Sequence, residues 1–442
     1  MAFVPSHIVK KTALKTALST TLIASSFLSA ASAGENRIDL IRPDAPTLAD
    51  FGAYKIGVTS RVFLHKDQLD IVSSDADTLV RYDRPLPVEI WYPAADDTTP
   101  GGTYEVTLRD PNLTGTLHGQ AARDAPPKTG TQFPLIVLSH GYPGNRFLMS
   151  HLGENLASKG YVVASIDHTD STYADQNVFG ATLLNRPIDQ KFVIDSMTAL
   201  DGPIGTIINT DSIGLIGYSM GGYGVLISGG AGLADGIEDL PFAPPQGTLR
   251  HNVSGTDTHE SLVDSRVKAL VSIGPWGRNH GFWDDAGLAG LRKPTLLIAG
   301  EVDDVSDYDA MREIFTHSTG ATRHLLTFEN ANHNAAAPIP APLEAWQFSE
   351  SLGYAPFDHY ADPVWDTTRM NNIAQHFTTA FMDLHLKSDH EKFEYLDLIP
   401  NPKNSLHALD DNGKPTAEHT YWKGFPARTA VGLTFETLEK DH

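Results

Sequence analysis

The sequence predicts an α/β protein with a mostly parallel central sheet flanked by helices. Three observations carry that expectation. Short apolar runs recur between residues 134 and 329, each bounded by turn residues. Segments that read as helices of about 10 to 15 residues separate them. The runs are continuously apolar rather than alternating, as strands covered on both faces are. Strands that alternate with helices in this way form parallel βαβ units.

The elements follow in order. Residues 56–80 alternate loosely and suggest a hairpin, and LPVEIWY (86–92) alternates well enough for a strand. Residues 93–127 are punctuated by Pro, Gly and Asp and read as turns. The regular pattern begins at PLIVLSHG (134–141), a buried strand. A short helix over 148–159 and a second strand, YVVASIDHT (161–169), come next. A helix over 190–200 leads to a third strand, SIGLIGYS (212–219), and a helix from Met220. VKALVSIGPW (267–276) and PTLLIAG (294–300) are strands, 307–317 is helical, and HLLTFE (324–329) ends the run. Residues 229–264 are rich in Gly and Pro, and 334–363 in Pro and aromatics; both read as lid-like insertions. Over 367–387 a helical face carries Met370, Ile373, Phe377, Phe381 and Leu384. One domain over 34–390 is expected, with a C-terminal extension, 391–442, packed on it.

Residues 1–33 read as an export signal. Lys10, Lys11 and Lys15 make a positive start, 16–30 is mostly apolar or small, and Ala31-Ser32-Ala33 is a cleavage site of the A-x-A kind. The expectation is a protein exported to the periplasm or beyond, from a bacterium. No later segment reads as a membrane span. The chain has 33 Lys and Arg against 54 Asp and Glu, a formal charge of -21, and no cysteine. That balance argues against nucleic acid as a partner. The lack of cysteine excludes disulfides, thiolate metal sites and a thiol nucleophile. The acidic surface also disfavours anionic substrates at long range, unless charge local to a pocket overrides it.

Gly217-Tyr218-Ser219-Met220-Gly221 is a G-x-S-x-G pentapeptide between an apolar strand and a helix. A sharp strand-to-helix turn crowds the residues beside the serine, so both glycines are needed, and the hydroxyl is left exposed above the sheet. A dinucleotide loop over 217–224 is set aside because its glycine spacing is wrong. A serine hydroxyl needs a base, and the base needs an orienting acid. Asp303, just past the strand PTLLIAG, is the chosen acid, with Asp304 its neighbouring rival; His333, in the loop after the last strand, is the base. The backbone N–H groups of Met220 and Tyr142 are the expected oxyanion donors, the second from the loop His140-Gly141-Tyr142-Pro143-Gly144. Tyr142 and Trp276 are candidate substrate contacts, with Trp276 read equally as an anchor for its loop. His140, His168 and Asp170 read as structural. Phe282, Trp283 and the 346–365 aromatics read as lid or as core. No cofactor is required. A structural calcium ion on acid pairs such as Asp303-Asp304 stays open, although no EF-hand spacing is present.

HGYPGNRF (140–147), IGYSMGGYG (216–224), VKALVSIGPWG (267–277), PTLLIAGEVDD (294–304) and NANHN (330–334) resemble the α/β-hydrolase superfamily. The resemblance points to its cutinase-like polyester hydrolases, its platelet-activating-factor acetylhydrolases and its dienelactone-hydrolase-like members. RPLPVEIWYPA (84–94) is similar to the acetylhydrolase branch. The resemblance implies Ser219 as nucleophile, Asp303 as acid, His333 as base, Tyr142 and Met220 as oxyanion hole, and Trp276 beside aromatic esters. Dienelactone hydrolases carry cysteine at the position of Ser219, which separates this chain from that activity. The function expected is a secreted serine carboxylic-ester hydrolase, a monomer or homodimer, acting on small or polymeric esters. The alternatives are a cutinase-like polyester hydrolase, a serine amidase or peptidase, and a non-catalytic binding protein on the same fold.

Overall fold

The computed structural model describes residues 34–176 and 178–442; the export signal expected over 1–33 lies outside them. The strands are β1 (Asn36–Arg37), β2 (Lys55–Asp70), β3 (Val80–Ala94), β4 (Gly102–Thr107), β5 (Thr114–Gly119), β6 (Ala122–Arg123), β7 (Phe133–Ser139), β8 (Val162–Ile166), β9 (Ile208–Tyr218), β10 (Val267–Ile273), β11 (Thr295–Gly300), β12 (Arg323–Phe328) and β13 (Leu433–Leu438). The helices are α1 (Ser150–Ser158), α2 (Phe179–Thr198), α3 (Met220–Ser228), α4 (Asp257–Leu262), α5 (Asp285–Ala289), α6 (Tyr308–His317) and α7 (Thr367–Leu386).

Ten strands form one sheet in the order β13-β12-β11-β10-β9-β7-β8-β3-β2-β6. The run from β12 to β8 is parallel throughout, and β3 and β13 flank it antiparallel. Alternate residues of one strand feed two cores. Ile136 and Leu138 of β7 face the layer of α1 and α7, with Leu152, Leu156, Phe377 and Phe381. Leu135 and Val137 face the layer of α2, α3 and α6, with Leu183, Val193, Leu226 and Phe315. All seven residues of β7 are buried, so the strand reads as an unbroken apolar run.

The structure departs from the sequence expectation in four places. LPVEIWY is not a separate strand but part of the second arm of one hairpin, whose arms are β2 and β3. Residues 93–127 are not only turns. β4 and β5 pair antiparallel and join β1 in a small second sheet, with Tyr104 and Leu117 buried beneath it. Strands of six residues with glycine and threonine give too weak an alternation to be seen. The helix expected over 190–200 is the second half of α2, which starts at Phe179. Pro187 hides its first half, since proline removes a helical N–H. The carbonyl left without that N–H, Leu183 O, accepts instead from the Tyr223 hydroxyl at 3.0 Å and from Asn252 Nδ2 at 3.2 Å. Finally, residues 391–442 contain β13, which pairs with all six residues of β12. No helix among the described residues is long and apolar enough to cross a membrane.

Candidate active site

Ser219 stands between β9 and α3 with φ 53° and ψ -114°. This is a left-handed conformation that a residue with a side chain rarely adopts. The neighbouring glycines show what enforces it. A Cβ at Gly217 would lie 2.2 Å from Gly221 O, and one at Gly221 would lie 1.9 Å from Ser139 O. The turn therefore closes only without side chains on either flank.

The structure brings Ser219, His333 and Asp303 into one hydrogen-bonded line. Ser219 Oγ lies 3.0 Å from His333 Nε2, and His333 Nδ1 lies 2.7 Å from Asp303 Oδ2. With Nδ1–H donated to the carboxylate, Nε2 is left to accept the serine proton. Asp303 Oδ1 accepts from the backbone N–H groups of Val305 and Ser306, each at 2.8 Å. Burial pushes this carboxyl up. The hydrogen bond and charge of His333, together with the two N–H groups, outweigh it and hold the group below its ordinary range. Asp304 is exposed and makes no such contact.

The histidine loop is pinned from the 334–363 segment. Asn332 N–H donates to Asp362 at 2.7 Å, and Asn334 Nδ2 donates to Ala361 O at 2.7 Å. The buried Tyr218 hydroxyl donates to Asn334 Oδ1 at 3.0 Å, and its ring centroid lies 5.2 Å from that of His333.

The loop 140–144 lies against the serine. A Cβ at Gly141 would be 3.3 Å from Ser219 Cβ. Arg186, fully buried on α2, donates to His140 O, to Gly141 O at 2.9 Å and to Ser171 Oγ at 2.5 Å. His140 is buried beneath the loop, where Nε2 accepts from His168 N–H at 3.2 Å. His168 reaches Ser139 Oγ at 2.8 Å and Asp189 at 3.0 Å, and Asp189 pairs with Arg84 at 2.9 Å. Arg84 also pairs with Asp170 at 2.9 Å. Met220 opens α3, so its N–H has no acceptor within the helix.

A cavity of about 390 Å³ opens on Ser219 and His333, with Tyr142, Tyr218 and Arg109 among its lining residues. The 334–363 segment supplies much of its wall through Tyr354, His359 and Pro363. Residues 229–264 and 391–442 do not line it. Trp276 does not line it either. Its backbone N–H donates to Ser219 O at 3.4 Å. Its ring packs edge-on to Phe179 at 5.3 Å, and Phe179 packs edge-on to Tyr142 at 5.2 Å. Among the described residues no group of three or more metal-ligating side chains gathers. Sequence reasoning did not find Arg109 or Arg186. Arg109 stands beside a turn and Arg186 beside a helix proline, and neither belongs to a motif.

Residues 102–194 match the family described as platelet-activating factor acetylhydrolase, isoform II. That match covers the loop 140–144 and stops short of Ser219. Cutinase est1 of Thermobifida alba is 26% identical over 211 residues, 47% of this chain and 56% of that protein. Cutinase cut1 of Thermobifida fusca is likewise 26% identical, over 47% of this chain and 52% of its own length. The chain thus spans little more than half the length of these two relatives. The platelet-activating factor acetylhydrolase of Cavia porcellus is 40% identical over 62 residues, 14% of each chain. A solved ferulic acid esterase from Streptomyces cinnamoneus superposes with a TM-score of 0.52 at 21% identity, covering 80% of this chain and 93% of the other. The chain thus shares its fold with a solved esterase over four fifths of its length, and its sequence is similar to cutinases and to platelet-activating factor acetylhydrolases.

Proposed function

We propose that the chain is a serine carboxylic-ester hydrolase working through an acyl-enzyme. The observation that carries the reading is the line from Ser219 Oγ through His333 to Asp303, set on the strained turn above the sheet. His333 Nε2 takes the hydroxyl proton as Ser219 Oγ attacks the ester carbonyl. Asp303 holds the Nδ1–H tautomer and stabilises the imidazolium that forms. The Tyr142 and Met220 N–H groups receive the oxyanion. His333 then protonates the departing alcohol, and water, activated by the same imidazole, releases the acid. No cofactor takes part.

The substrates are soluble esters of short to medium or aromatic acyl groups. A cavity walled by the 334–363 segment favours a molecule that enters over a polymer surface. Tyr142, with Phe179 and Trp276 behind it, forms the aromatic side of the site. Export through residues 1–33 belongs to the same reading. The test is turnover of para-nitrophenyl butyrate and covalent labelling by a fluorophosphonate. Ser219→Ala abolishes both while the fold persists; a variant that keeps most of its turnover overturns the assignment. A peptide substrate and a polyester film in the same panel decide against or for the amidase and polyesterase alternatives.

A further inference from the structure

One arginine, Arg109, lines the cavity beside Ser219, and no lysine lines it. It comes from outside the α/β repeat, on the turn between β4 and β5. The turn is built to hold it. Arg109 N–H donates to the buried Tyr360 hydroxyl at 3.0 Å. The next residue, Asp110, is buried and accepts from Ser351 Oγ at 3.0 Å, from Ser349 Oγ and from Asn112 N–H at 2.9 Å. The backbone under the guanidinium is thus clamped to the same segment that walls the cavity.

The guanidinium itself makes no ion pair and no side-chain hydrogen bond among the described residues. Arg109 is half-buried, and the fully buried arginines are all matched. Arg84 pairs with Asp170 and Asp189, Arg186 is held by carbonyls, and Arg323 is held by the carbonyls of Phe315 and Thr316. A guanidinium that lines a cavity with none of its five planar donors paired is a fork that a carboxylate or phosphate fits. The histidine in the wall beside it is neutral. His359 bonds the Tyr173 hydroxyl at 2.9 Å, and burial together with the charge of Arg109 pushes its pKa down to about 3. Asp304 and Asp358 also line the cavity, but both are exposed, where water and salt screen them.

We propose that Arg109 binds an anionic oxygen group, a carboxylate or a phosphate, carried by the ester substrate, so that the preferred substrates are esters bearing one such charge within reach of the scissile bond. The proposal rests on Ser219 attacking esters. It also runs against the chain's net charge of -21, which repels anions at long range.

The test measures kcat/KM for para-acetoxybenzoate and para-acetoxyphenyl phosphate against methyl para-acetoxybenzoate, and for para-nitrophenyl hemisuccinate against para-nitrophenyl butyrate. The readout is the ratio of anionic to neutral ester, in which a general loss of activity cancels. Arg109→Gln lowers that ratio by about 10- to 100-fold, the range of a hydrogen bond to a charged group. Arg109→Lys, which keeps the charge without the fork, falls between. The arm that responds more tells carboxylate from phosphate and acyl side from alcohol side. An unchanged ratio in all arms overturns the proposal. If the wild-type protein hydrolyses none of these esters, the ester reading fails separately. Arg109 is then judged by binding of benzoate and phenyl phosphate to the Ser219→Ala protein. Affinity that weakens about tenfold on adding Arg109→Gln supports the anion site, and equal affinity overturns it.

Discussion

Acid should loosen this protein through histidines that the fold keeps dry, and His151 isolates the effect. It lies on α1, is 2% exposed, and neither ring nitrogen has a hydrogen-bond partner. Burial alone pushes its pKa down from 6.5 to about 3. The folded state therefore holds it neutral, while the unfolded chain takes up a proton near pH 6.5. Its contribution to stability is complete above the unfolded value and is lost as pH falls from there towards about 3. Each pH unit in that window removes about 1.4 kcal/mol, so at about pH 5 roughly 2 kcal/mol is gone. That is a large share of a typical folding free energy of about 5–15 kcal/mol. The perturbation is His151→Leu, which keeps an apolar filling and cannot be protonated. Urea unfolding at about pH 7.5 and about pH 5 gives the stability lost on acidification. The wild-type protein should lose about 2 kcal/mol more than the variant. Because a difference between two pH values is read, a constant packing cost of the leucine cancels. Equal losses in both proteins would refute the reasoning. His168 and His324, lowered to about 4, and His376, lowered to about 3, act with the same sign.

Two further outcomes follow from the loop and the turn around Ser219. Arg186→Met leaves the His140 and Gly141 carbonyls without their buried donor; kcat for a butyrate ester should fall about 10- to 100-fold with KM little changed, and an intact kcat would mean that the loop holds itself. Gly221→Ala puts a methyl group 1.9 Å from Ser139 O, so the turn must open; fluorophosphonate labelling should be lost and thermal unfolding should begin several degrees lower, and a variant that labels at the normal rate would show that the turn can absorb a side chain.

The parallel sheet was legible because its strands carry short apolar runs, unbroken in β7, and that pattern arises from local composition. The serine turn was legible for a similar reason, since crowding at one bend dictates glycine at two nearby positions. The acid and base were placed by chain order, and the structure sets Asp303, rather than Asp304, against His333. What stayed hidden depends on distant partners. The first half of α2 carries polar residues, such as Asn185 and Arg186, that are buried among groups far along the chain. The six residues of β13 lie far along the chain from β12, the edge strand they pair with. Arg109 is delivered by a second sheet whose strands are too short to announce themselves.

That last pairing sets an order of events. A chain made from its N terminus has Ser219, Asp303 and His333 in hand well before Leu433–Leu438 emerges. Until then β12 presents an unpaired edge, an invitation to the strands of other molecules. It also leads directly into the loop that carries His333. His333 thus follows a strand whose edge is paired only by residues more than a hundred positions later, so a ribosome-bound or partly threaded chain holds Ser219, Asp303 and His333 before that edge is covered.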